Sequence, residues 1–315
     1  MRRALAMKYS DLDVLFQQLQ NVPPTFAVSP ERRKLLLQVD SLLCEADSEL
    51  NPDLGKFYRE KVDNIIREVK DYSGDTPRLW KLYSSGFLLK DKSRVIAIDI
   101  NGGCTSGIGR TRLVLHNEQF EALAEIIDEY YNTHSHIDHI NETLCDLLAA
   151  KGKLMVMPQE AVRRWLFDGA TPVEEFSAPH VKTFLNYQGV DGKKGLDCAM
   201  YLFTLSNGKT ILWRGDIYHR DGFNACMEHI DSWQKRVDYA PLTPYYTSGD
   251  APIAILDKKF ACRFLNCHEW EFTHRKPGVK GPATQCFEEL YGAFAIPYQD
   301  NRTAFLFWGE SIELD

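Results

Sequence analysis

Apolar positions near the start of the chain recur every three to four residues. Leu12, Leu15, Phe16 and Leu19 form one stripe, and Leu35, Leu36, Val39, Leu42 and Leu43 a second. A period near 3.6 puts such side chains on one face of a helix. Asn21-Val22-Pro23-Pro24 ends the first helix, and Ser29-Pro30-Glu31 opens the second with a capping residue and a proline in the first turn. A third helix is predicted from Pro52 to Val69, after which Gly74-Asp75-Thr76-Pro77 marks a boundary. Residues 1–75 therefore read as a helical N-terminal extension and 76–315 as a separate unit.

Beyond Pro77 the pattern shortens. Leu79 to Leu89 and Val95 to Ile100 read as strands joined by the charged turn Lys90-Asp91-Lys92-Ser93. A glycine-rich loop (Gly102-Gly103, Gly107-Ile108-Gly109) and a helix from Phe120 to Tyr130 follow. A second helix passes through Leu144 to Leu148, a strand covers Lys153 to Met157, and a third helix covers Pro158 to Phe167. Met200 to Leu205 and Thr210 to Trp213 form a hairpin about Asn207-Gly208, with a helix near Ala225 to Val237. Lys259 to Leu265, Ala283 to Phe294 and Thr303 to Trp308 read as strand, helix and strand. The alternation predicts a mixed α/β (α+β) fold with a weak two-half organisation.

With 315 residues the chain can bury a substantial core. Its formal net charge of −7 argues against a nucleic-acid partner, because the basic segments Arg2-Arg3, Arg32-Arg33-Lys34 and His274-Arg275-Lys276 are short. No apolar run approaches 18 residues, and the positive start MRRALAMKYS lacks the apolar core of a signal peptide, so a cytoplasmic location is expected. Eight cysteines without a CxxC pair suggest neither a zinc ribbon nor a disulfide framework.

The densest chemistry lies in Thr133-His134-Ser135-His136-Ile137-Asp138-His139. It follows the strand-like Tyr130-Tyr131 and precedes a helix. His134 and His136 are two residues apart and project to one side of an extended segment. Neutral imidazole is the commonest protein metal ligand, and Asp138 and His139 add two more candidate donors beside the first pair. Four such groups in six residues are costly to bury without compensation. The bland alternative is a surface turn, or hydrogen-bonded core histidines.

This motif resembles the signature of the metallo-β-lactamase superfamily. The resemblance covers roughly residues 78 to 310 and implies a four-layer αββα sandwich with a mononuclear or dinuclear metal centre, usually zinc. It implies three further ligands downstream. Ile211-Leu212-Trp213-Arg214-Gly215-Asp216 is similar to the family's strand-Gly-Asp element, so Asp216 would bridge two metals. Phe264-Leu265-Asn266-Cys267-His268 is similar to the last ligand element, with His274 as rival to His268. The remaining ligand would lie between His139 and Asp216, where the chain has the single histidine His180; residues Tyr187 to Asp197 then read as an inserted loop. Asp99, ending an opening strand, would be structural. Ile140-Asn141-Glu142-Thr143-Leu144 departs from members with glycine soon after the motif and is more similar to the lactonase-like and phosphodiesterase-like branches.

The resemblance assigns His134, His136 and His180 to one metal and Asp138, His139 and His268 to the other, with Asp216 between them. It implies a zinc-dependent hydrolase, with two Zn2+ per chain and Fe or Mn as substitutes. Activated water would attack an ester, lactone, amide or phosphoester bond of a small molecule. Asp138 would also orient the nucleophile or take its proton. His219 and Tyr218 could contact substrate or protonate a leaving group, or simply start a helix. Arg110 and Arg112 could hold an anionic substrate group, or be an exposed pair. Trp270, His274 and Arg275 would line the mouth, or form an ordinary surface. The alternatives are a phosphodiesterase or nuclease of the same fold, an iron-dependent oxidoreductase on the same ligands, and a non-catalytic scaffold. A homo-oligomer is compatible with all of them.

Overall fold

The computed structural model describes residues 9–45, 52–103, 115–189, 194–217, 219–243, 252–274 and 281–315. Arg2, Arg3, Arg110, Arg112, Tyr218, Arg275 and Lys276, singled out above, lie outside the described residues, as does Gly107-Ile108-Gly109. Three helices come first: α1 (Tyr9–Asn21), α2 (Pro30–Glu45) and α3 (Pro52–Asp71). The first half of the remainder contains β1 (Arg78–Lys81), β2 (Phe87–Asp91), β3 (Arg94–Ile98), α4 (Asn117–Ile126), β4 (Glu129–Tyr131), α5 (Glu142–Ala150), β5 (Leu154–Met157), α6 (Gln159–Trp165) and β6 (Thr171–Pro172). The second half contains β7 (Val181–Tyr187), β8 (Asp197–Thr204), β9 (Thr210–Trp213), α7 (Arg220–Ser232), β10 (Tyr239–Leu242), α8 (Pro252–Phe260), β11 (Arg263–Asn266), α9 (Phe287–Ala293), α10 (Ala295–Gln299), β12 (Thr303–Ala304) and β13 (Ser311–Glu313).

The strands form two mixed sheets, ordered β13-β1-β2-β3-β4-β5-β6 and β12-β11-β10-β9-β8-β7. Each begins as an antiparallel meander and continues parallel: β1-β2-β3 then β4 to β6, and β7-β8-β9 then β10 to β12. Strand alternation sorts side chains into two cores. Phe87, Leu89, Ile96, Ile98, Tyr131 and Val156 of one sheet meet Ala199, Tyr201, Phe203, Ile211, Trp213 and Leu265 of the other. Intervening residues such as Leu88, Ala97, Met200, Leu202 and Phe264 face outward to the helices. The result is a helix-sheet-sheet-helix sandwich. Aromatic edges lock its middle: Tyr131 lies 4.9 Å from Phe203 and 5.2 Å from Tyr201, and the Tyr201 hydroxyl donates to the Asn132 carbonyl at 2.7 Å. No described helix is long and apolar enough to cross a membrane.

Several elements differ from the reading of the sequence. The single strand expected from Leu79 to Leu89 is two strands, because the chain reverses at Ser84-Ser85-Gly86; Leu82 N–H donates to the Gly86 carbonyl, and Ser84 has φ +55°. The helix expected to reach Tyr130 stops at Ile126, where Asp128 pins the chain to β3 by exchanging two bonds with the Val95 backbone region and so starts β4. Tyr187 belongs to β7, so only the hairpin tip remains of the expected insertion. Residues 252–260 form α8, which delays the following strand to Arg263.

The N-terminal helices share the outer core. Leu12, Phe16, Leu36, Val39, Phe57 and Ile65 are buried in one cluster with Trp270, Phe307 and Trp308. Two polar ties accompany this packing. The Arg32 guanidinium is buried against both Glu310 oxygens, with one contact at 3.0 Å, and also donates to the Phe305 and Val22 carbonyls. Asp40 accepts from the Trp270 indole N–H at 2.7 Å and from the Phe287 and Glu288 N–H groups at 2.9 and 2.8 Å, capping α9. Burial raises the Asp40 carboxyl to about 6, against the pull of these three donors.

Two predictions follow from these ties. Glu310→Ala leaves a buried, unpaired guanidinium and is expected to destabilise the chain by about 3–5 kcal/mol in urea unfolding, whereas an exposed pair is worth less than about 1 kcal/mol. Asp40 gives a pH signature. Its folded value lies above the unfolded one, so the stability it contributes at acid pH is lost as pH rises from about 4 to about 6, by up to roughly 3 kcal/mol. Asp40→Asn should remove that decline from the stability-pH curve, and an unchanged curve would contradict the assignment.

Candidate metal centre

The histidine motif leaves the C-terminal end of β4, and the other site loops leave the C-terminal ends of β3, β9 and β11. Parallel strands of both sheets thus deliver their loops to one edge of the sandwich. The Ala199 N–H of β8 donates to the Thr133 carbonyl at 2.7 Å, which sews the motif to the opposite sheet.

Asp99 organises the motif. Its Oδ1 accepts from Thr133 N–H at 2.7 Å and from the Asn132 amide at 3.2 Å. Its Oδ2 accepts from the Thr133 hydroxyl at 2.7 Å and lies 3.0 Å from His139 Nδ1. An acceptor at Nδ1 fixes the tautomer of His139 and aims its Nε2 inward, the outer-shell arrangement common to metal-bound histidines. Asp99 itself stays outside the donor cluster.

Asp216 arrives through Gly215, whose φ is +56°. A Cβ there would sit 2.7 Å from both Thr133 Cβ and Cys198 Sγ, so glycine is needed for Asp216 to come this close to the motif. Asp216 Oδ2 lies 3.6 Å from His134 Nε2 and 3.6 Å from His139 Nε2. His268 follows β11 in a left-handed conformation, φ +68°, and its N–H donates to the Ser84 carbonyl at 3.1 Å. The adjacent Glu269 is fully buried and paired with Lys81 at 3.1 Å. His268 Nε2 lies 2.8 Å from Asp138 Oδ2 and 3.0 Å from His139 Nε2.

Two groups of donors result: His134 with His136 and Asp216, and Asp138 with His139 and His268. Within each, one ligand atom per residue lies within 4.8 Å of the others. The donor chemistry fits a metal. His134 Nε2 faces His136 Nδ1 at 3.2 Å, and at most one nitrogen of each facing pair can carry the proton of a hydrogen bond. Asp138 Oδ1 is buried with no hydrogen-bond partner among the described residues, a costly state for a carboxylate oxygen that a cation would relieve.

Protonation shows the same crowding. Burial and the neighbouring His139 hold the His134 imidazole well below its ordinary range, and burial lowers His136. For Asp138 and Asp216, burial is outweighed by the surrounding imidazoles, His139 foremost, which hold both carboxyls below the usual range. For His139, burial is outweighed by Asp138, Asp99 and Asp216, which hold the ring well above the ordinary histidine value.

Three expectations need correction or refinement. His180 is not brought to the cluster. It precedes β7 at the opposite end of the sandwich, where its Nε2 lies 2.8 Å from Glu129 Oε2, at the start of β4 rather than its end. His219 is a helix cap: its Nδ1 accepts from Gly222 N–H at 2.9 Å, its Nε2 lies 3.2 Å from the Tyr187 carbonyl, and its ring stacks on Tyr187 at 4.4 Å. With both nitrogens engaged, it braces β7 and is not poised as a proton donor. Trp270 is fully buried and points to Asp40, away from the mouth, whereas half-exposed His274 sits at the rim with its ring 5.8 Å from His136.

Two residues at the site carried no sequence signal. Gln188 directly follows β7, with its amide nitrogen 3.2 Å from His136 Nδ1 and 3.1 Å from Asp216 Oδ2. Glu271, fully buried, lies 3.3 Å from His274 Nδ1 and forms a third donor group with His274 and Asp138. Neither belongs to a spaced motif; only the strand that delivers Gln188 could have drawn attention to it.

No family model matches the chain, and no curated protein matches it in sequence. Solved structures do resemble it. A possible metal-dependent hydrolase from Veillonella parvula superposes with a TM-score of 0.54 at 13% identity, over 77% of this chain and 100% of that one. Isothiocyanate hydrolase from Delia radicum gut bacteria gives 0.52 at 15%, over 75% and 99%. Igni18, a metallo hydrolase from the archaeon Ignicoccus hospitalis, gives 0.50 at 18%, over 76% and 99%. The chain shares the fold of these three proteins, and its two facing sheets between helix layers are the αββα arrangement that the resemblance of the histidine motif implied.

His180→Ala provides a direct check of the ligand set. It is expected to leave bound metal unchanged in elemental analysis and to cost about 1–3 kcal/mol of stability, because Glu129 loses a partner. Loss of metal would return His180 to the site.

Proposed function

We propose that the chain is a metal-dependent hydrolase acting on an ester, lactone, amide or phosphoester bond of a small molecule. The observation that carries this reading is the convergence of His134, His136, Asp138, His139, Asp216 and His268, from three loops, on one edge of the sandwich. Each of the two donor groups would hold one metal ion, and Asp216, whose Oδ2 lies 3.6 Å from both His134 Nε2 and His139 Nε2, is placed to contribute to both. An imidazole-rich set with carboxylates suits zinc, and iron or manganese can share it. When bound, such ions lower the pKa of water and polarise the substrate oxygen.

The chain's own residues divide the remaining work. Asp99 holds His139 in one tautomer. Asp138 lies at the junction of the second group and the rim, since its Oδ2 is also 3.7 Å from His274 Nδ1, and it can orient the attacking water. The hydrogen bond to Glu271 raises His274 to about 9, against burial and with help from Asp138, so a proton is held at the rim near neutral pH. That group can bind an anionic part of the substrate or return a proton to the leaving group. The N-terminal helices act as a brace for the loop that carries His268, through the Asp40–Trp270 contact. The net charge of −7 favours a small molecule over nucleic acid.

The test joins elemental analysis to a screen of ester, lactone, amide and phosphodiester substrates. Asp216→Ala is expected to remove bound metal and to lower hydrolysis by more than the ~10–100-fold that loss of an outer-shell partner costs. Full activity in a metal-stripped chain would end the hydrolase reading in this form. Iron in place of zinc, with oxygen consumption, would favour an oxidoreductase on the same donors.

A further inference from the structure

We infer that Gln188 takes the position of a fourth protein donor beside His134, His136 and Asp216, and that this group therefore holds its metal more weakly than the Asp138–His139–His268 group. The inference rests on the metal-dependent reading above and concerns how the two positions are filled.

The geometry points to Gln188 first. Its amide reaches two of the three donors in the first group, His136 Nδ1 at 3.2 Å and Asp216 Oδ2 at 3.1 Å. Its backbone is fixed, because the Gln188 N–H donates to the Leu196 carbonyl at 2.7 Å across the hairpin. The strand that carries it is fixed too, by the Tyr187 ring stacked on His219 and by the Asn186 amide donating to the Gly222 carbonyl at 3.2 Å. The side chain is thus presented to the site from a braced strand end. A carboxamide can offer its oxygen as readily as its nitrogen.

No histidine competes for this position. All nine histidines of the chain are described; His180 is at the far end of β7, His219 caps α7, His116 precedes α4, and His229 lies against Phe184. His274 is near His136, but its Nδ1 is turned to Glu271 and Asp138.

The consequence is asymmetry. The first group offers two neutral imidazoles, one neutral amide and a share in Asp216. The second offers two imidazoles, the full charge of Asp138 and the other share in Asp216. Amide and carbonyl oxygens suit magnesium, calcium and manganese, whereas imidazole suits zinc and iron. A neutral amide in place of an imidazole or carboxylate therefore weakens the first position for zinc or iron and leaves the second intact. One ion should stay on the chain when the other exchanges.

The experiment loads the full chain with excess zinc, removes free and weakly held ion by dialysis against a mild chelator, and measures zinc per chain. Wild type is expected to keep about one zinc, and Gln188→His and Gln188→Glu about two, because each variant supplies a stronger donor at the same strand end. Circular dichroism melts identify a variant that fails to fold, and the other variant then decides. Two zincs kept by wild type, or no gain in a folded variant, would overturn the inference while the metal-dependent reading stands. No zinc on any form, even before dialysis, would overturn both.

Discussion

Four imidazoles and two carboxylates cannot share one buried edge of a protein without a cation or a set of shared protons among them. That constraint governs much of the rest. The imidazoles around Asp138 and Asp216 hold both carboxyls below the usual carboxylate range, although burial pulls the other way. Three carboxylates around His139 hold its ring above the ordinary histidine range, against the pull of burial. A protein pays for such a cluster in stability unless its occupant returns the cost, and a divalent ion is the occupant that imidazole and carboxylate donors suit.

The fold meets this constraint by delivering the donors on stiff supports. Each ligand loop starts at the end of a buried strand, and several pass through backbone conformations that are uncommon outside glycine, including Asp99 at φ +49° and His268 at φ +68°. Such residues persist only where their surroundings over-determine them. Here the surroundings are specific. Asp99 is held by the Thr133 and Asn132 donors, His268 by the Ser84 carbonyl and the buried Lys81–Glu269 pair, and Asp216 by the approach that Gly215 permits. The N-terminal helices extend this support, since Asp40 ties together the Trp270 indole and the start of α9 behind the last ligand.

The sequence was most legible where chemistry is dense and local. Six residues from His134 to His139 pointed to the site, the strand-Gly-Asp pattern pointed to Asp216, and a strand end pointed to His268; the structure brings these together. Helical periodicity likewise outlined α1, α2 and α3, whose apolar stripes are buried. Legibility failed where a position is set by partners distant in sequence. The reversal at Ser84 depends on contacts with residues 268 and 269, about 185 positions away, and no local pattern announces them. His180 is the single histidine in its interval, but it precedes a strand that starts at the far end of the sandwich and runs toward the site, and its partner is Glu129. Gln188, at the other end of that strand, carries no motif and becomes visible only when β7 is paired with β8.

X-ray absorption at the metal edge tests the central claim most directly, because it reads the atoms around the ion without an assumed substrate. The account predicts a first shell of nitrogen and oxygen at about 2.0–2.2 Å with the multiple scattering of imidazole rings, diminished in a His139→Ala chain. A shell of sulfur at about 2.3 Å would place the metal on cysteines instead, and a spectrum unchanged by His139→Ala would contradict the centre described above.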